Sequence, residues 1–174
     1  MQIREEKVGE IDCDFPGGNI IVEDVSASEF KLRQDLRDTD GDWFYWAFRF
    51  RKNKPSRITF RFSGSDVFGV RGPAVSMDSG ESWNWLGAPS LVGNGFAFDY
   101  PGSGVEVRFS MTMAYTDYHL QRLIGKHKED AGFKRESLCT TDKGREVSLL
   151  RFGSIGRKPK FRAVLTSRSH ACES

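Results

Sequence analysis

Asp42-Trp43-Phe44-Tyr45-Trp46-Ala47-Phe48-Arg49-Phe50-Arg51 and, after a short break, Arg57-Ile58-Thr59-Phe60-Arg61-Phe62 decide the fold class. Both stretches are rich in residues that suit a pleated, half-buried surface. In the first, Phe48 and Phe50 alternate with Arg49 and Arg51; in the second, Ile58, Phe60 and Phe62 share one face. A period of two sends successive side chains to opposite faces, so each stretch reads as a strand with one buried side. The break, Lys52-Asn53-Lys54-Pro55-Ser56, is polar and contains a proline, and predicts a turn joining two adjacent antiparallel strands.

Further strands are expected around 18–25, 29–36, 74–76, 83–86, 95–100 and 105–111, with turn signals at Asp78-Ser79-Gly80 and Pro101-Gly102-Ser103-Gly104. Short strands at this spacing predict a mainly β fold, an antiparallel β-sandwich over residues 1–116. No internal repeat is visible, which excludes solenoids and propellers. Trp43, Tyr45 and Trp46 are expected in the core on alternating faces. Trp83 and Trp85 share a parity and read either as packing residues or as a platform on which a sugar or peptide stacks. Asp38-Thr39-Asp40-Gly41-Asp42 is similar to a calcium loop but lacks the glutamate at position twelve, so a turn leading into the strand is preferred.

The period then changes. Leu120, Leu123 and Ile124 fall at i, i+3 and i+4 within 116–127, one face of a helix that Thr116 or Asp117 would cap. His119 and His127 read as surface or capping histidines. Residues 128–135 read as a polar loop, 137–141 and 146–152 as a hairpin around Thr141-Asp142-Lys143-Gly144, and 160–167 as a strand entering a buried sheet.

Composition narrows the function. With 38% hydrophobic and 29% charged residues the chain has enough apolar surface to fold. A formal charge of +2 argues against a dedicated nucleic-acid binder, which needs a basic excess. No apolar run approaches membrane-spanning length, so no membrane span is expected, and with no leader visible at the N-terminus the chain is either made in the cytoplasm or has had a leader removed. Cys13, Cys139 and Cys172 are odd in number and widely spaced, so Cys13 and Cys139 are expected as reduced, mostly buried thiols in a cytoplasmic protein.

The chemistry-bearing residues come last: His170-Ala171-Cys172-Glu173 places an imidazole and a carboxylate at i and i+3. Catalytic zinc takes such donors, three from protein and one position left for water, which it makes nucleophilic near neutral pH. Cys172 could compete for soft metals, although a bystander thiol is the plainer reading.

Taken in order, Phe15-Pro16-Gly17-Gly18-Asn19-Ile20, the Asp42–Phe50 stretch, Pro73-Ala74-Val75-Ser76-Met77-Asp78, Val105-Glu106-Val107-Arg108-Phe109, Met113-Ala114-Tyr115-Thr116 and Leu165-Thr166-Ser167-Arg168-Ser169-His170-Ala171-Cys172-Glu173-Ser174 make the chain resemble zinc metallocarboxypeptidases of the cytosolic-carboxypeptidase-like group. The resemblance implies an N-terminal sandwich over 1–116. It further implies the helix and first strands of an incomplete α/β catalytic domain over 117–174. In it, His170 and Glu173 would be two of three zinc ligands, and Arg168 would approach the substrate or pair with a carboxylate. The family most often has Pro-Gly between the two ligands where this chain has Ala171-Cys172. The third ligand, the substrate-clamping arginine and the general base would lie beyond Ser174, so no catalytic residue is expected within this chain. The longer enzyme would release residues from peptide or protein C-termini, and the 174-residue chain would be inactive alone. The alternative is a non-catalytic β-sandwich that binds carbohydrate or protein, with an accidental HxxE. A third outcome is self-association through an exposed remnant of the catalytic domain, whose 160–166 strand would lack sheet neighbours.

Overall fold

The computed structural model describes residues 8–37, 41, 44–64 and 66–166. These residues fall into two compact units, divided after Ala114.

The first unit is a mainly β sandwich. One sheet orders its strands β1 (Glu10–Asp12), β4 (Ala47–Arg51), β9 (Val107–Ser110), β6 (Ala74–Ser76) and β7 (Asn84–Trp85). The other orders β2 (Ile21–Val25), β3 (Glu29–Arg33), β5 (Ser56–Phe62) and β8 (Gly95–Tyr100). All pairings are antiparallel except β3 with β5, which run parallel.

The two deciding stretches are strands, but they are not neighbours in one sheet. β4 pairs with β1 and β9, whereas β5 pairs with β3 and β8. The alternation is compatible with both arrangements, because a strand buries its apolar face just as well against an opposing sheet as beside a hairpin partner. Phe48 and Phe50 meet Phe60 across the interior, with ring centroids 5.1 and 5.4 Å apart. Lys52–Pro55 therefore crosses between sheets, as does the link from β8 to β9 beside it. The Lys52 N–H donates to Tyr100 Oη at 3.0 Å, and that hydroxyl donates to the Val105 carbonyl at 2.5 Å. Gly102 has φ +86°, and a Cβ there would lie 2.6 Å from Pro55 Cδ, so the crossing of the two links requires glycine.

The core is an aromatic cluster. Trp46, Phe48, Phe50, Phe60, Phe96 and Phe109 are wholly buried, and Trp46 Nε1 donates to the Val67 carbonyl at 3.1 Å, satisfying its one polar group. Tyr45, placed by alternation on the other face, donates its hydroxyl to the Gly17 carbonyl at 2.5 Å.

The second unit contains α1 (Asp117–His127) and the hairpin β10 (Phe133–Thr140) and β11 (Glu146–Phe152). Thr116 is the helix N-cap, and its backbone N–H donates to His119 Nδ1 at 3.0 Å, which gives this histidine a definite capping role. The hairpin turns where Thr141-Asp142-Lys143-Gly144 predicts it. Gly144 takes φ +75°, its N–H donates to the Thr141 carbonyl at 2.8 Å, and the Arg145 N–H donates to Thr141 Oγ1 at 3.0 Å. β10 begins earlier than the expected loop over 128–135 allows, because Phe133 packs on Phe152 across the register at 5.1 Å.

Residues 160–166 are not a strand, contrary to the alternation seen there. A strand needs a ladder of backbone partners, and among the described residues none is paired with this segment. Phe161, Val164 and Leu165 are accordingly 81%, 86% and 95% exposed.

Candidate functional site

The expected zinc-ligand segment, Arg168, His170, Cys172 and Glu173 through to Ser174, lies outside the described residues, as do Trp43, Asp38, Asp40 and Asp42. Among the described residues no group of three or more His, Cys, Asp or Glu side chains is placed to hold a metal ion. His119 is engaged at the helix cap, and His127 Nδ1 lies 3.8 Å from Asp130 Oδ2. Imidazole nitrogen and carboxylate oxygen are donors of the kind that zinc takes.

Trp83 and Trp85 are both half-buried. Trp83 Nε1 donates to the Gly80 carbonyl at 3.1 Å, and the Arg71 guanidinium stands 5.8 Å from the Trp85 ring centre. Neither offers the bare paired face that a stacking platform needs. Cys13 is half-buried, with Sγ 3.6 Å from the Ile20 carbonyl, but Cys139 is exposed. The expectation of a buried Cys139 fails because β10 belongs to a lone two-stranded sheet with nothing described over that position.

The outer face of β1, β4 and β9 carries a cluster of paired charges. Arg49 Nε lies 2.6 Å from Asp12, Arg108 Nε donates to Glu106 Oε1 at 2.7 Å, and Arg51 pairs with Glu106. Phe15 caps the cluster, with the Arg108 and Arg49 guanidinium carbons 4.5 and 5.8 Å from its ring centre. The strand register explains it: Arg49 lies opposite Asp12 on one side and Arg108 on the other, and the same parity faces outward along all three strands.

Burial raises the Asp12 carboxyl, but the Arg49 hydrogen bond, the Asp14 N–H and the charges of Arg49 and Arg51 outweigh it, leaving the pKa below the ordinary value. For Glu106 burial again raises, and the Arg108 hydrogen bond with the charges of Arg108, Arg51 and Arg49 prevails downward. Asp78 falls to about 2 because the Ser82 hydroxyl, the Ser82 N–H and the Ser76 hydroxyl all donate to it, closing the 76–82 loop.

These depressed carboxylates set the acid limb of stability. Each contributes stability fully present above its unfolded value, 3.8 for Asp and 4.5 for Glu, and lost as pH falls through its folded value. Urea midpoints are expected to hold down to about pH 5 and to fall steeply below about pH 4. Glu106→Gln should flatten that fall, and an unchanged slope would remove Glu106 from the cause.

Beside this cluster, between the β1 and β2 edges, lies an open concavity of about 450 Å³ lined by Ile11, Asp12, Cys13, Asp14, Gly18, Ile20, Val22 and Arg37. Its lining mixes the apolar Ile11, Ile20 and Val22 with Asp12, Asp14 and Arg37. Alternation alone gives no sign of it, since it joins two strands of different sheets.

No family model and no curated protein matches the sequence. The shape does have relatives. The architecture is that of the N-terminal part of bacterial metallo-carboxypeptidases. A metallo-carboxypeptidase from Burkholderia cenocepacia superposes with a TM-score of 0.70 at 17% identity, covering 87% of this chain and 41% of that one. A metallo-carboxypeptidase from Pseudomonas aeruginosa, solved with (2-guanidinoethylmercapto)succinic acid, superposes with a TM-score of 0.63 at 24% identity, again over 87% and 41%. This chain therefore spans about 40% of the length of the structures it matches.

Proposed function

We propose that this chain is the N-terminal portion of a zinc-dependent carboxypeptidase of the cytosolic-carboxypeptidase-like group, one that hydrolyses C-terminal residues of peptides or proteins. The observation that carries this reading is the superposition of 87% of the chain on metallo-carboxypeptidases, and the order of motifs ending in His170 and Glu173 supports it. His170 and Glu173 are two of three zinc ligands, and Arg168 approaches the substrate from the same segment. The third ligand and the general base come from residues beyond Ser174. Zinc, when bound, supplies an activated water and polarises the scissile carbonyl. The 174-residue chain is inactive alone, because two donors without a third ligand and its supporting hydrogen bonds hold zinc weakly.

The test has two arms. This chain, incubated with zinc, is expected to release no C-terminal amino acid from peptides; zinc-dependent release would overturn its inactivity. In a longer polypeptide that supplies the remaining ligand, metal analysis is expected to find one zinc per chain, lost in His170→Ala along with peptidase activity. Retention of zinc in that variant would remove His170 from the ligand set.

A further inference from the structure

The formal charge of +2 conceals a partition. Residues 1–114 carry 13 Lys and Arg against 17 Asp and Glu, a net −4, whereas 115–167 carry 12 against 6, a net +6. Oppositely charged surfaces attract over a Debye length and orient an encounter, and like-charged ones repel. A contact between two copies of the basic unit is therefore disfavoured, and a contact between the basic unit of one copy and the sandwich of another is favoured.

Both halves of such a contact are present. In the basic unit, Arg157-Lys158-Pro159-Lys160-Phe161-Arg162 gathers four cations in six residues, and among the described residues none of the four forms an ion pair. Pro159 fixes φ and removes an N–H, which keeps the segment out of a helix. Phe161 stands between Lys160 and Arg162, almost wholly exposed, with Val164 and Leu165 following. On the sandwich, the concavity is lined by Ile11, Ile20 and Val22 together with the exposed Asp14 and with Asp12, which Arg49 already holds at 2.6 Å. Glu10 and Asp24 lie on the two flanking edge strands and form no ion pair among the described residues. The one cation of the lining, Arg37, is held by Asp35 at 2.6 Å.

We propose that this chain associates head to tail with a second copy of itself, Phe161 of one copy seating in the concavity of the other while Lys160 and Arg162 meet Asp14 and the flanking Glu10 and Asp24. An apolar anchor inside a ring of complementary charge is the usual anatomy of a specific interface. Because the two surfaces differ, the contact joins unlike faces of the two copies. This inference does not depend on zinc or on peptidase activity.

Sedimentation equilibrium of the full chain is the test. At about 20 mM salt the mean mass is expected to rise with concentration above that of a single chain, and about 0.5 M salt is expected to weaken association about tenfold or more as the Debye length shrinks. Phe161→Ser and Asp14→Lys, both at exposed positions, should each be monomeric alone with unchanged circular dichroism. Mixed together they should form a one-to-one pair, because the intact Phe161 segment of the Asp14→Lys chain fits the intact concavity of the Phe161→Ser chain. A wild-type monomer at low salt would overturn the proposal, even one that binds anionic vesicles. Association unaffected by salt, or a mixture that stays monomeric, would overturn it equally.

Discussion

Phe60→Ala is expected to cost about 4 kcal/mol, in the middle of the range for removing a buried aromatic side chain. Phe60 is wholly buried on β5 and meets five other rings. They are Phe30 at 5.7 Å, Phe48 at 5.1 Å, Phe50 at 5.4 Å, Phe96 at 4.9 Å and Phe109 at 5.3 Å. They come from β3, β4, β8 and β9, so one deletion loosens both sheets at once. Collapse into the void is hindered because every neighbour is itself locked between strands, which places the cost at the cavity-retaining end. Domains of this size are stable by about 5–15 kcal/mol, so the variant should sit near the edge of unfolding. Urea titration followed by fluorescence of the buried Trp46 measures it. Phe161→Ala, at a position 81% exposed, is the control and should leave the midpoint in place at about 0.5 M salt, where self-association is weak. A loss below about 1 kcal/mol at Phe60 would mean the ring cluster does not hold the sheets together.

The contrast between these two phenylalanines shows what sequence patterning can and cannot deliver. Alternation at 57–62 identifies the buried face of β5 correctly, because a period of two is a property of the strand itself. Which strand lies alongside is a property of the whole chain. Phe48 and Phe50 are compatible with a hairpin to β5 or with facing it across the interior, and Lys52–Pro55 is short enough for either. The deciding contacts, Lys52 with Tyr100 and Pro55 with Gly102, join residues nearly fifty positions apart. At 160–166 the same alternation leads to a strand that the described residues do not form, since periodicity records a preference for pairing and not the presence of a partner.

The candidate site divides along the same line. HxxE at 170–173 is legible because donor types and spacing are local, but it lies outside the described residues. The concavity is illegible for the opposite reason: Ile11, Ile20 and Val22 come from β1, the loop before β2 and β2 itself, and converge only when two sheets pack. A usable signal does exist in the charge count taken unit by unit, which the total of +2 cancels.

Gly95→Ala should destabilise the sandwich by about 3 kcal/mol, the upper part of the usual cost of overpacking. Where space and backbone permit, glycine to alanine stabilises by about 0.4–1 kcal/mol through the unfolded chain, so the sign itself is diagnostic. Gly95 opens β8 opposite Arg61, and a Cβ there would lie 2.2 Å from the Phe60 carbonyl oxygen and 2.9 Å from Arg61 Cα. Both are backbone atoms of β5, an inner strand held on one side by β3 and on the other by β8 itself, so neither can step aside. Relief requires the start of β8 to lift away. That would stretch the Val92 N–H bond to the Gly95 carbonyl, at 2.9 Å, and the Phe62 N–H bond to the Asn94 carbonyl, at 2.8 Å, and would draw the wholly buried Phe96 out of the aromatic cluster. Gly125→Ala provides the matched opposite: nothing lies within 4 Å of where its methyl group would stand, it sits inside α1, and alanine there should gain about 1 kcal/mol of helix preference. The same substitution is thus expected to lower the urea midpoint at 95 and to raise the helical signal at 125. A Gly95→Ala chain as stable as wild type would show that β5 and β8 are not pressed together at that point.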